Sequence, residues 1–329
     1  MSSCFWNDLP TGRRKKRSLV GTALASPPAP MDLSEQVRVR LLPLPAAAQI
    51  EPVGPAKAPA LLSVEAFRAL LDQQPGLKWL ELQGAGEPLA HPRLFELAAH
   101  AVSRGIEVTT RTSLLTISDA RIAQCIASGL RRIDVAPGAA DPSDCDYLRP
   151  GSKLRRALKN VRRLADARRN ARPEIRVVLM LLRSNRERLP ELIRLARAHG
   201  ADAVVLEHLW HHACPARRFV EAQSLLEEKP ALEEARDAAA ALGVRLETPQ
   251  ARRCDRPWRR IHIGASGEAL PCPQARTAQR RTLGNARREG VVHVWNNDAF
   301  REFRERLASD TPPELCRKCA LHESRLTAS

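Results

Sequence analysis

The sequence predicts an α/β fold: an open, partial (β/α)6 TIM-like barrel with a small cysteine-rich domain at its C-terminal end. Three observations lead there. From about residue 37, short apolar runs alternate with amphipathic helical patterns, the order that produces parallel strands joined by helical crossovers. The alternation stops near residue 245, where hairpin-like and helical segments replace it. Four of the chain's eight cysteines lie in that last part.

The elements follow in order. Six strand candidates stand out: Val37 to Leu42, Lys78 to Gln83, Ile106 to Thr110, Arg131 to Ala136, Ile175 to Leu182 and Ala203 to His208. Between them, Leu94, Leu97, Ala98 and Val102 recur at helical spacing after His91-Pro92, with the proline expected in the first turn. Each crossover is long enough to return to a parallel neighbour. Pro45 to Pro59 carries four prolines and a glycine, and reads as an unusually long loop between the first strand and a helix opening near Ser63. A helix over Phe219 to Leu242 leads out of the repeat. Beyond it, Ile261, Ile263 and Ser266-Gly267 predict a hairpin, and Phe300, Phe303 and Leu307 mark one face of a helix. The expected organisation is a basic, disordered tail over 1–36, a barrel over 37–245 and the cysteine-rich domain over 246–329.

Composition narrows the function. With 329 residues, 43% hydrophobic and 27% charged, the chain is not disordered throughout. It is long enough to hold a core without disulfides or metal, so clustered cysteines need another explanation. Apolar runs such as Val177 to Leu182 fall far short of the ~20 residues that span a bilayer, so no membrane role is expected. The balance of 53 basic against 37 acidic residues gives +16 and raises a nucleic-acid partner. Aromatics at 4% leave few platforms for stacking bases, and arginines such as Arg162, Arg163, Arg168, Arg169 and Arg172 read as solvated helix faces. Nucleic acid is therefore not the expected partner.

Arg13 to Arg17, followed by Ser18 to Ala25, resembles a twin-arginine or secretory signal only loosely, because Gly21 and Thr22 interrupt its apolar part. A tail, or a true start at Met31, is the expectation. The chain is read as cytoplasmic, where thiols stay reduced and clustered cysteines serve metal or catalysis.

In the tail, the two-residue gap of Cys316-Arg317-Lys318-Cys319 lets both thiolates face one centre, and a turn at Gly267 can return Cys272 to Cys254. A converging set of four sulfurs selects zinc or an iron-sulfur cluster; the alternative is unconnected buried thiols. Cys4, Cys125, Cys145 and Cys214 show no ligand spacing, and Cys125, in Ile122 to Ile126, reads as core. Arg252, Arg253, Arg256, Arg259, Arg260, Arg317 and Lys318 crowd the tail cysteines. They offset thiolate charge, or form a solvated surface.

Cys254-x12-Gly267-x4-Cys272, Pro257-Trp258, Leu283-Gly284-Asn285, Val294-Trp295-Asn296 and the final CxxC resemble the SPASM domain of radical S-adenosylmethionine enzymes. The barrel resembles the same superfamily. Gln83 to Pro92 is similar to its glycine-glutamate-proline motif, and Tyr147 to Gly151 to a segment after its fourth strand. The resemblance implies an auxiliary 4Fe-4S cluster on Cys254, Cys272, Cys316 and Cys319. It also implies that Gly84, Gly86, Glu87 and Pro88 lie where the amino group of S-adenosylmethionine is met. The alternative reading of this motif is a tight turn, with glycine at positive φ and Glu87 capping a helix.

The family's defining Cys-x3-Cys-x2-Cys is missing. The segment Leu42 to Ile50, assigned to the loop after the first strand, contains no cysteine, and no histidine or carboxylate follows before Glu51. Thr110-Arg111-Thr112 replaces an Asn-Gly pair after the third strand, and Val135-Ala136-Pro137 replaces a serine ending the fourth. The leading expectation is a pseudoenzyme that keeps the auxiliary cluster for electron transfer, for presenting a peptide substrate or for scaffolding a partner enzyme. The alternatives are an active radical enzyme with non-standard cluster ligation, and a zinc-stabilised, arginine-rich binding protein.

Overall fold

The computed structural model describes residues 44–54, 60–84, 86–137, 153–208, 229–249, 254–273, 282–317 and 319. The expected tail, the strand Val37 to Leu42, the segment Tyr147 to Gly151, and Cys4, Cys145 and Cys214 lie outside these residues.

The described barrel elements are β1 (Ala47–Ile50), α1 (Val64–Asp72), β2 (Trp79–Leu82), α2 (Leu94–Ser103), β3 (Glu107–Thr112), α3 (Asp119–Ala127), β4 (Arg132–Val135), α4 (Lys153–Ala167), β5 (Glu174–Leu181), α5 (Leu189–Ala198), β6 (Ala203–His208), α6 (Lys229–Leu242) and β7 (Arg245–Glu247). The cysteine-rich segment adds α7 (Arg256–Arg259), β8 (Arg260–Ile263), β9 (Ala269–Leu270), α8 (Val291–Asn296), α9 (Asp298–Ala308) and α10 (Glu314–Arg317). Ser63 and Ser118 cap α1 and α3 by accepting from Ala66 N and Arg121 N. Pro92 stands just ahead of α2, not in its first turn, and Arg93 is the N-cap.

The strands form one open sheet in the order β7-β6-β5-β4-β3-β2-β1-β8-β9, parallel except for the β8–β9 hairpin. One expectation is corrected. Among the described residues the sheet has nine strands, the barrel's six, β1 to β6, being joined by β7 and by the β8–β9 hairpin. Its first described strand is β1, inside the stretch read as a loop. Ala-Ala-Gln-Ile has weak strand propensity, but in place it pairs on both sides, Ala48 opposite Leu80 of β2 and Ile261 of β8. The predicted hairpin is present, with Gly267 at φ +91° in its turn.

One face of the sheet is apolar. Ile50, Leu82, Val108, Val135, Val177, Leu179, Leu206 and Ile263 pack with Phe67, Leu70, Leu97, Leu158 and Leu192 from the helices into one core. The opposite face carries the alternate residues, among them Gln49, Glu81, Arg111, Asp134, Arg176 and His262, which places the barrel's polar chemistry there.

Candidate functional site

The glycine-glutamate-proline motif sits at the C-terminal end of β2. Glu87 caps the single 3-10 turn Pro88–Ala90, accepting from Leu89 N at 3.1 Å. The same carboxylate accepts from Ser113 N at 2.8 Å, from Ser113 Oγ at 2.6 Å and from the Thr112 hydroxyl, all at the end of β3. The capping reading of Glu87 is thus realised, and its oxygens take four hydrogen bonds from the chain itself.

Neither Gly84 nor Gly86 has positive φ; close approach explains both. A Cβ on Gly84 would lie 2.2 Å from Glu51 Cγ, and one on Gly86 2.3 Å from the Gly54 carbonyl oxygen. Gly84→Ala is therefore expected to destabilise the fold by about 1–3 kcal/mol, the usual cost of overpacking. Chemical denaturation checks this, and an unchanged midpoint would show that Glu51 moves aside freely.

Glu51 opens the loop after β1. Its backbone N–H donates to Ile263 O at 2.9 Å, and its Oε1 is 3.0 Å from His262 Nε2, with both side chains 2% exposed. The start of the loop is thereby tied to β8 of the cysteine-rich segment. On the other side His91 fastens the loop's far end: its buried Nε2 donates to Leu62 O at 2.9 Å, and its Nδ1 accepts from Arg93 N at 3.1 Å. Burial lowers the His91 pKa, which keeps the ring neutral.

Thr110-Arg111-Thr112 lies within β3 and does not follow it. Arg111 forms a bidentate pair with Glu207 at 2.8 and 2.7 Å, crossing from β3 to β6 over β4 and β5. Beside it, Arg176 of β5 grips Asp134 of β4 at 2.7 and 2.6 Å and reaches Glu247 of β7 at 2.6 Å. Burial acts to lower the Arg176 pKa, but the pairs with Asp134 and Glu247 outweigh it and hold the group above the ordinary arginine value. Neither Arg111–Glu207 nor Arg176–Asp134–Glu247 was legible in the sequence, because each partner comes from a different strand.

The structure brings the four tail cysteines near one another. Cys254 precedes α7, and Arg256 of that helix acts to lower its pKa. Burial first, then Cys272, Cys254 and Cys319 in turn, raise the Cys316 pKa; burial pushes Cys254 up to about 11, with Cys272 and Cys319 adding to it. Among the described residues, no three His, Cys, Asp or Glu side chains are grouped closely enough to hold a metal ion as they stand. Trp258 of α7 shares an apolar cluster with Leu307 and Cys316, and its buried Nε1 has no hydrogen-bond partner among the described residues. Four soft donors and a buried N–H awaiting an acceptor suit an anionic, sulfur-rich group. Cys125 is fully buried in α3, and burial pushes its thiol up to about 12, as a core residue requires.

A cavity of about 500 Å³ adjoins this site, lined by Pro271 and Leu315, the neighbours of Cys272 and Cys316, and by Leu283, Phe303, Glu302 and Arg306. No helix among the described residues is long and apolar enough to cross a membrane.

Residues 254–320 match the SPASM family, an iron-sulfur cluster-binding domain. The chain is 28% identical over 271 residues to a PqqA peptide cyclase of Xanthomonas oryzae pv. oryzae, covering 78% of this chain and 71% of that protein. It is 28% identical over 281 residues to a PqqA peptide cyclase of Gluconobacter oxydans, covering 80% and 75%. In fold it is similar to Streptococcus suis SuiB bound to precursor peptide SuiA, at TM-score 0.68 and 14% identity over 88% of this chain and 73% of that one. It is also similar to anSMEcpe with bound AdoMet and the Cp18Cys peptide, at TM-score 0.57 and 13% identity over 83% and 85%.

Proposed function

We infer that this chain, a protein of radical S-adenosylmethionine fold with a C-terminal SPASM domain, is a peptide-handling iron-sulfur protein that works without a cofactor-cleaving cluster. The observation that carries the reading is the contrast between its two ends. Four thiols gather in the tail, whereas no cysteine occurs anywhere between Cys4 and Cys125.

The donor set of the tail fits an auxiliary 4Fe-4S cluster on Cys254, Cys272, Cys316 and Cys319. A single zinc ion at Zn–S of about 2.3 Å would draw its thiolates to roughly 3.8 Å apart. The match of residues 254–320 to an iron-sulfur cluster-binding domain favours the cluster over the zinc alternative. When bound, such a cluster supplies one-electron transfer.

The barrel mouth does not fit a second, open cluster. Its loop offers Glu51, committed to His262, in place of thiolates. Glu87, which the resemblance assigns to the amino group of S-adenosylmethionine, is committed to Leu89, Thr112 and Ser113. A bound cofactor would have to displace these contacts.

The peptide reading draws on the named activities of the relatives and on the cavity. Leu283, Phe303 and Leu315 offer an apolar floor, Glu302 can accept from backbone amides, and the Arg306 guanidinium can hold a carboxylate. A peptide seated there would lie beside Cys272 and Cys316.

Anaerobically purified protein is expected to be brown and to contain about four irons per chain. With dithionite and S-adenosylmethionine it is expected to form no 5′-deoxyadenosine above a cluster-free control. Product that disappears in a Cys254→Ser variant would show the remaining cluster to be catalytic and would reverse the reading.

A further inference from the structure

Trp258 is 5% exposed, and its indole nitrogen is buried without a hydrogen-bond partner among the described residues. Leaving such a donor unsatisfied costs about 1–3 kcal/mol, and tryptophan in a core ordinarily finds an acceptor for its N–H. The ring is not loosely placed. Arg304 of α9 donates to Pro257 O, the residue before Trp258, and to Trp295 O, each at 2.8 Å. Its guanidinium lies 4.1 Å above the Trp295 ring, so α7, α8 and α9 are clamped together around it. The clamp holds Trp258 against Leu307 and Cys316.

We propose that the Trp258 indole N–H is a built-in hydrogen-bond donor to the sulfurs of the group held by the four tail cysteines, and that it tunes that group's reduction potential. The proposal rests on the cluster reading above. A 4Fe-4S cluster on four thiolates is dianionic when oxidised, and accepting one electron from a reductant such as dithionite adds a further negative charge. A donor aimed at its sulfurs stabilises the reduced state more than the oxidised one and so raises the potential. The same contact supplies the acceptor that the indole lacks. Trp258 is on this account a positioning and tuning residue: it holds no iron.

The test compares wild type with Trp258→Phe, which keeps the aromatic packing and removes the N–H. Dye-mediated titration followed by electron paramagnetic resonance is expected to give equal iron content and a more negative midpoint potential in the variant. In wild type labelled with indole-15N tryptophan, the reduced cluster is expected to show nitrogen and exchangeable-proton hyperfine couplings, which the variant lacks. Full iron with an unchanged midpoint overturns the proposal. If the variant fails to hold iron, the labelled wild type decides, and absence of the coupling overturns it. A colourless, iron-free wild type overturns the cluster reading and this proposal with it.

Discussion

Replacing Cys316 and Cys319 together by serine is expected to reduce iron to background and to loosen the last part of the chain. Apart from the 11-residue α9, the described tail elements are short: α7, α8 and α10 have four, six and four residues and β9 has two. Such segments carry little core of their own, so ligation and folding are coupled. The apolar cluster of Trp258, Leu307 and Cys316 is small and includes one of the proposed ligand thiols. Loss of the metal is therefore expected to increase proteolysis within the tail while leaving the barrel intact. Cys125→Ser is the control. Its thiol lies in the core of α3, away from the tail, so it is expected to cost stability but leave the iron content unchanged. Iron that survives the double substitution would overturn the four-cysteine assignment.

Asp134→Ala is expected to be the most destabilising single change in the barrel, at about 3–5 kcal/mol, the cost of stranding a buried charge. Asp134 and Arg176 are 8% and 11% exposed at the side chain, and their contact is bidentate. Removing the carboxylate leaves the Arg176 guanidinium buried, with Glu247 as its remaining ion-pair partner among the described residues. Glu247→Gln makes the contrast. Its carboxylate is 40% exposed, and losing its charge is expected to cost under about 1 kcal/mol. Urea denaturation of both variants measures the difference, and equal midpoints would show that the pair contributes no more than a surface contact.

Much of the architecture was legible because it depends on local pattern. The strands β2 to β6 declare themselves by apolar periodicity, and their predicted limits lie within about two residues of those found. The tail was legible for another reason. The spacing of its cysteines, Gly267 and Pro257-Trp258 along the chain is itself the pattern of the family that residues 254–320 match.

The rest depends on partners distant in sequence. β1 carries two alanines and a glutamine, and becomes a strand because β2 and β8 pair with it from both sides. Joining β8 to β1 extends the barrel sheet into the cysteine-rich segment, a contact across more than 200 residues that no local signal encodes. The use of the glycine-glutamate-proline motif is equally non-local. Its residues were visible in the sequence, but the occupation of Glu87 by Thr112 and Ser113, and the closeness of Gly84 to Glu51, follow from strand register.

Residue types and spacings therefore established which soft donors the chain carries: four cysteines in its last part, and none between Cys4 and Cys125. Tertiary packing established what surrounds those groups: the ion pairs across the barrel, the buried Glu51–His262 contact and the Trp258 nitrogen without an acceptor. The physical reason is range. Ligand chemistry and helical or strand periodicity are properties of neighbouring residues, whereas burial, charge pairing and hydrogen-bond satisfaction exist only once distant strands have been brought side by side.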